Sequence, residues 1–213
     1  MTNRYMYMRF APGWIARTIR LFRPTCQVRL ICLTCLVCIV CMVCMLCPPV
    51  QAHAAALPAQ GDKLPELSMD APGDPASAAE LGLTGDAPFG LAQLQSELVL
   101  LEVIGVYCPQ CHRQLPGFNS LAARLKRAGL RDRVTMLGLA AGGTPQETAY
   151  LRAKGGYAYP VVPDPEYRVH KLLGEPLTPF TMLVDKTGTV RFAHLGVIDD
   201  VDALFARIRD LLR

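Results

Sequence analysis

The sequence predicts one α/β domain, a central mixed β-sheet flanked by helices, preceded by an N-terminal signal or anchor helix. Three observations carry this. Strand-like and helix-like stretches alternate from residue 98 to the C-terminus. "LVLLEVIGVY" at 98–107 is a continuous apolar run, as for a strand covered on both faces. "FTMLVD", "KTG" and "TVRFAHLG" follow one another as two strands around a tight turn.

Residues 1–54 read as a signal peptide or membrane anchor. Six arginines (Arg4, Arg9, Arg17, Arg20, Arg23 and Arg29) precede an 18-residue uncharged run, Leu30 to Cys47, and no acid appears before Asp62. As a helix that run spans about 27 Å, near the thickness of a bilayer core. Arginines on its N-terminal side alone keep that end cytoplasmic. Pro48 and Pro49 then break the helix, and Ala52-His53-Ala54 fits a signal cleavage site. The chain is therefore expected to be exported, and periplasmic or otherwise extracytoplasmic, either released or anchored through residues 30–47. Seven of the nine cysteines lie between Cys26 and Cys47, five of the spacings being C-x-x-C. Every spacer there is apolar or Thr, without a turn residue. On a helix, cysteines three apart drift by about 60° per step, so they cannot converge on one ion. They act as small apolar residues.

Residues 55–75, rich in Ala, Pro, Gly and Asp, read as a linker. The domain is expected over 76–213. After the strand at 98–107, Pro109–Ala128 reads as a helix with Leu115, Phe118, Leu121 and Leu125 at helical spacing. "RVTMLGLAA" is a second strand. Thr144, Pro145 and Glu147 mark the start of another helix, with a capping box. "YPVVPD" is a short extended piece, Pro165–Leu173 a short helix, and "DDVDALFARIRDLLR" a final amphipathic helix with three aspartates at its positive end. The formal charge of +4 is segregated: from Gly61 onward there are 16 basic and 18 acidic residues. The domain is mildly acidic and carries no basic stripe, which excludes nucleic acid as an expected partner.

The chemistry is expected at Cys108 and Cys111. Cys108 follows a buried strand and opens a helix, where unpaired N–H groups and the helix dipole favour the thiolate. Cys111, one turn on, can close a disulfide with it. Pro109 suits the first helical position. Glu102 lies within the apolar strand; as a carboxylate buried behind the sulfurs its pKa would rise, and it would move protons to and from the resolving thiol. Pro179 stands at the start of a strand, where proline is allowed.

"LVLLEVIGVYCPQC", "TPFTMLVDKTGTV" and a C-terminal amphipathic helix together resemble the thioredoxin superfamily over residues 62–213. Within it the chain is similar to the exported, often membrane-tethered TlpA/ResA-type thiol-disulfide oxidoreductases. That resemblance implies a thioredoxin-like fold, with Cys108 and Cys111 as the redox pair and Pro179 as a cis-proline facing them. Thr178 then helps to shape substrate binding, along with Tyr107, Pro109 and Gln110, and Glu102 is the buried acid. Tyr107 stands where the family usually has Trp. Protein thiols and disulfides are the implied partners, together with a membrane electron-transfer protein for re-reduction and apocytochrome c as a substrate. No cofactor is expected beyond the redox-active disulfide, and no metal.

Two alternatives stand beside this. Cys108-Pro109-Gln110-Cys111-His112 is also C-x-x-C-H, the pattern for covalent c-type haem, in which His112 would be an axial ligand. The other is a redox-inactive binding module of the same fold. His170 and His194 lack paired ligand spacing and are expected to be solvated surface residues.

Overall fold

A computed structural model describes residues 56–213. The expected signal or anchor helix, its apolar span at 30–47 and the Ala52-His53-Ala54 site lie outside the described residues. Among the described residues no helix is long and apolar enough to cross a membrane.

Five strands form one sheet: β1 (Leu98–Ile104), β2 (Val134–Ala141), β3 (Val161–Asp164), β4 (Phe180–Asp185) and β5 (Val190–Leu195), in the spatial order β3-β2-β1-β4-β5. β1 is central, parallel to β2 and antiparallel to β4. The helices are α1 (Pro75–Glu80), α2 (Pro109–Arg127), α3 (Pro145–Ala153), α4 (Arg168–Leu172) and α5 (Val201–Leu211).

All seven residues of β1 are buried, as its unbroken apolar run requires. Their side chains sort by the two-residue period. Leu98, Leu100 and Ile104 join Phe118, Leu121 and Leu125 of α2 and Leu204 and Ile208 of α5 on one face. Val99, Leu101 and Val103 join Val169 and Leu173, from α4 and its C-terminal cap, on the other. Glu102 has the parity of Leu100 and Ile104, so it belongs to the α2 face.

β1 ends three residues short of the predicted 98–107. Pairing stops at Ile104, and the Cys108 amide turns back to donate to Gly105 O at 3.1 Å. A Cβ on Gly105 would lie 3.2 Å from Cys108 Cβ and 3.4 Å from Thr178 Oγ1, so this turn fits closely against the Thr178 segment. The predicted capping box of α3 forms: Thr144 Oγ1 accepts from Glu147 N, and Glu147 Oε2 from Thr144 N. α4 begins at Arg168 rather than Pro165, because Tyr167 adopts a left-handed conformation (φ 58°) and the Asp164 carboxylate accepts from Val169 N and His170 N.

The stretch 55–75, predicted as a linker, is instead built into the domain over much of its length. Leu64, Leu67 and Met69 are buried on the sheet face opposite α2. Gly61 N donates to Val190 O and Leu64 N to Gly188 O, while Met69 and Phe89 exchange backbone hydrogen bonds. The short α4 covers part of that face, and these three apolar residues extend the cover together with Leu81, Phe89 and Leu94. Their Pro/Gly/Asp surroundings serve the turns between them.

Candidate active site

Cys108 is the N-cap of α2, and its sulfur accepts a hydrogen bond from the Cys111 amide at 3.3 Å. The Cys108 thiol also faces Thr178 O at 3.4 Å. Thr178–Pro179 is a cis peptide. Both cysteines are free thiols, but they differ in exposure: Cys108 is half-buried and Cys111 has 0% of its surface accessible. Burial opposes ionisation of Cys108, yet hydrogen bonds from Cys111 and Thr178 outweigh it and hold the thiol below its usual range. Burial, aided by the hydrogen bond to Cys108, pushes the Cys111 thiol up to about 12. The Cys108 sulfur is thus shifted toward the thiolate, while its neighbour is kept protonated.

Behind them stands a buried polar layer. Glu102 is 1% exposed. Gln114 Nε2 donates to its Oε1 at 2.7 Å, and Tyr159 Oη donates to its Oε2 at 2.5 Å. Gln114 Oε1 in turn accepts from Ile198 N at 2.6 Å, which ties the start of the α5 segment to the same layer. Across the sheet Glu102 stands opposite Thr181 on β4 and Gly138 on β2. Desolvation raises the Glu102 carboxyl to about 7, against the opposing pull of its hydrogen bonds from Tyr159 and Gln114. Glu102 is therefore a buried central-strand acid that titrates near neutral pH.

At the surface Tyr107 is 82% exposed, and its hydroxyl donates to Glu147 Oε1 at 2.7 Å. Pro109 and Gln110 are exposed in the first turn of α2, Thr178 is half-buried and Pro179 buried. The sequence-predicted residues Tyr107, Cys108, Pro109, Gln110, Cys111 and Thr178 converge at one end of the sheet, with Glu102 beneath. His112 is exposed, and its Nε2 lies 3.1 Å from Val106 O. His170 and His194 are half-buried rather than fully solvated; their Nε2 atoms lie 3.0 Å from Pro176 O and 3.2 Å from Val197 O, each holding a turn. A cavity of about 350 Å³ beside α2, lined by Glu80, Lys126, Arg131 and Arg152 among others, contains neither cysteine. The sulfurs lie outside it, at the end of the sheet.

Sequence reasoning missed Gln114, Tyr157, Tyr159, Thr181 and Glu147. Gln114 carries a signal in hindsight: it lies on the buried face of α2, in register with Cys111, Phe118 and Leu121, where an amphipathic helix packed on the core would place an apolar residue. The two tyrosines alternate in "GYAYP" with a period of two.

Residues 72–193, more than half of the chain, match the AhpC/TSA family. The chain belongs to that family. Within this family setting it is 26% identical over 106 residues to the thiol-disulfide oxidoreductase ResA of Halalkalibacterium halodurans; the match covers 50% of this chain and 58% of that protein. The chain thus spans less than two thirds of that relative's length. Among solved structures it resembles one assigned as the thiol:disulfide interchange protein DsbE of Chlorobium tepidum (TM-score 0.57, 22% identity, covering 74% of this chain and 100% of the other). It also resembles the peroxidoxin BcpB of Mycobacterium tuberculosis (TM-score 0.54, 18% identity, covering 72% and 98%). These structures share its thioredoxin-like fold.

Proposed function

We propose that the chain is an extracytoplasmic thiol-disulfide oxidoreductase that exchanges a Cys108–Cys111 dithiol with disulfides of other proteins. The observation that carries this is the asymmetry of the pair: a half-buried, thiolate-favouring Cys108 at a helix N-terminus over a fully buried, protonated Cys111. The Cys108 thiolate attacks one sulfur of a substrate disulfide, and the other sulfur departs with the electron pair. Cys111 then loses its proton to the Glu102 side of the site and attacks the Cys108 sulfur. The Cys108–Cys111 bond forms, the bond to substrate breaks, and the second substrate sulfur leaves as a thiolate. Two electrons have passed from the protein to the substrate. Thr178, Pro179 and the exposed Tyr107 rim Cys108, where Pro109 and Gln110 complete the surface that a substrate polypeptide meets.

We read the protein as a reductant, re-reduced by a membrane electron-transfer partner, with apocytochrome c as a substrate whose paired cysteines need reduction. The complete burial of Cys111 favours dithiol exchange over the c-type haem reading, since a thioether to Cys111 requires access to its sulfur. The same asymmetry favours exchange over a redox-inactive binding module. Cys111→Ala should trap mixed disulfides through Cys108, seen as adducts released by reductant; their absence under oxidising conditions would sink the exchange mechanism. A Soret band surviving acid-acetone extraction would establish haem instead. A redox titration then sets direction: a potential near about −270 mV supports a reductant, one near about −120 mV an oxidant.

A further inference from the structure

We propose that the cavity beside α2 binds the end of an extended peptide, through its free C-terminal carboxylate, its backbone and one apolar side chain. The site is separate from disulfide exchange, since neither cysteine lines it. Three features of the cavity point to this occupant: an open strand edge, an apolar floor and a cationic rim.

The open edge follows from how β2 is paired. Leu98 N donates to Arg133 O, so the odd-numbered residues of β2 turn their backbone groups to β1. Gly138 N donates to Pro160 O and Gly142 N to Asp164 O, so the even-numbered ones turn to β3. β3 pairs with β2 only from Gly138 onward. The Met136 amide and carbonyl and the Val134 carbonyl therefore point past the end of β3, and Pro160 has no N–H to offer Met136 O. The chain before Pro160 does not fill the gap, because it is tied to α2 and α3 instead. Asn119 Nδ2 donates to Gly156 O, Asn119 Oδ1 accepts from Ala158 N, and Arg152 Nη1 donates to Tyr157 O. Val134, Met136, Ala158 and Pro160 all line the cavity, so part of its wall is unpaired strand. Val134 and Met136 are 3% and 6% exposed, a depth at which backbone groups are almost always paired. An extended peptide pairs them by adding a strand.

The floor is apolar: Leu81, Leu125 and Met136 are buried there, with Ala122 beside them, which suits one aliphatic side chain. At about 350 Å³ the cavity is at the small end of ligand sites, roughly 300–1,000 Å³, and takes a peptide end rather than a folded partner. The rim carries Lys126, Arg131 and Arg152 against one carboxylate, Glu80. Glu80 is shared out, its Oε1 to Arg131 at 3.2 Å and its Oε2 to Arg152. Lys126 has no carboxylate partner among the described residues. Each guanidinium has five N–H donors, so both keep donors beyond the one that Glu80 takes. A C-terminal carboxylate balances this excess of positive charge through charge-assisted hydrogen bonds, which an internal stretch of peptide would not.

The test titrates the full chain with N-acetyl-alanyl-alanyl-leucine in a calorimeter. The acid should bind at one site per chain, and the C-terminal amide of the same peptide at least about tenfold more weakly, as for loss of charge-assisted hydrogen bonds. Ala123→Trp, at an exposed position of α2 that lines the cavity, should abolish binding by filling its mouth. Lys126→Gln should weaken the acid about two- to fivefold, and Glu80→Gln, which frees both guanidiniums, should tighten it by a similar factor; neither should move the amide. Absence of saturable binding of the acid up to about 1 mM overturns the site. Unchanged affinity in Ala123→Trp puts the binding elsewhere and does the same. Equal affinity for acid and amide overturns the role of the carboxylate, and N-acetyl-leucine binding as tightly as the tripeptide overturns the strand pairing.

Discussion

The two faces of the sheet are made from the same strands but hold different chemistry. On the face opposite α2, Val99, Leu101 and Val103 of β1 meet Leu137, Leu139, Met182 and Val184, with Leu64, Leu67 and Met69 closing over them. On the α2 face, one step along the same strand, Glu102 stands between Leu100 and Ile104 and gathers Gln114 and Tyr159 about it. Burying a carboxyl costs stability, and an apolar residue at 102 would fit the run better. The polar group is kept on the face where α2 brings the sulfurs. One face therefore supplies stability and the other trades part of it for proton chemistry.

Substitutions on the two faces should separate these roles. The largest effect is Cys108→Ser, which removes the attacking thiolate; insulin reduction should fall at least about 1,000-fold, with Tm nearly unchanged. On the opposite face Leu101→Ala should cost about 2–5 kcal/mol in urea unfolding, by transfer and cavity terms, while the folded fraction exchanges disulfides at the wild-type rate. A large fall in that rate would show that the faces are not separable.

Glu102→Gln tests both roles at once. The Glu102 carboxyl is raised from 4.5 to about 7 on folding, so the unfolded chain loses the proton first. Its contribution to stability is complete below pH 4.5 and is lost as pH rises through about 7. At about 1.4 kcal/mol per pH unit that amounts to about 3 kcal/mol. The variant should lack this slope in unfolding free energy against pH and should resolve mixed disulfides about 10- to 100-fold more slowly. The smallest effect is Tyr107→Phe, which cuts an exposed hydrogen bond to Glu147; it should change the KM for protein disulfides by about threefold or less and leave the Tm unchanged.

The parts of this molecule legible in the sequence are those set by neighbouring residues. The cysteine pair at a strand-to-helix junction, the Thr144–Glu147 capping box and the β4–β5 hairpin each depend on a few consecutive positions. The polar layer does not. Tyr159 reaches Glu102 across 57 positions and Gln114 joins Ile198 across 84, and no local period encodes either contact. Cys111 burial was equally invisible, since it depends on α2 packing onto the sheet. Residues 55–75 misled for the opposite reason: their composition is that of a loop, and composition averages away the three apolar residues that dock.

The pairing of residues 61–64 with the hairpin fixes an orientation. β4 runs antiparallel to β1, so its hairpin end lies beside Leu98, at the opposite end of the sheet from Cys108. Gly61 and Leu64 are bonded there, to Val190 and Gly188. Seven strand residues, about 20 Å, separate that seam from the sulfurs. A pull applied through residue 61 would therefore be taken up at the foot of the sheet, with the cysteines at its opposite end.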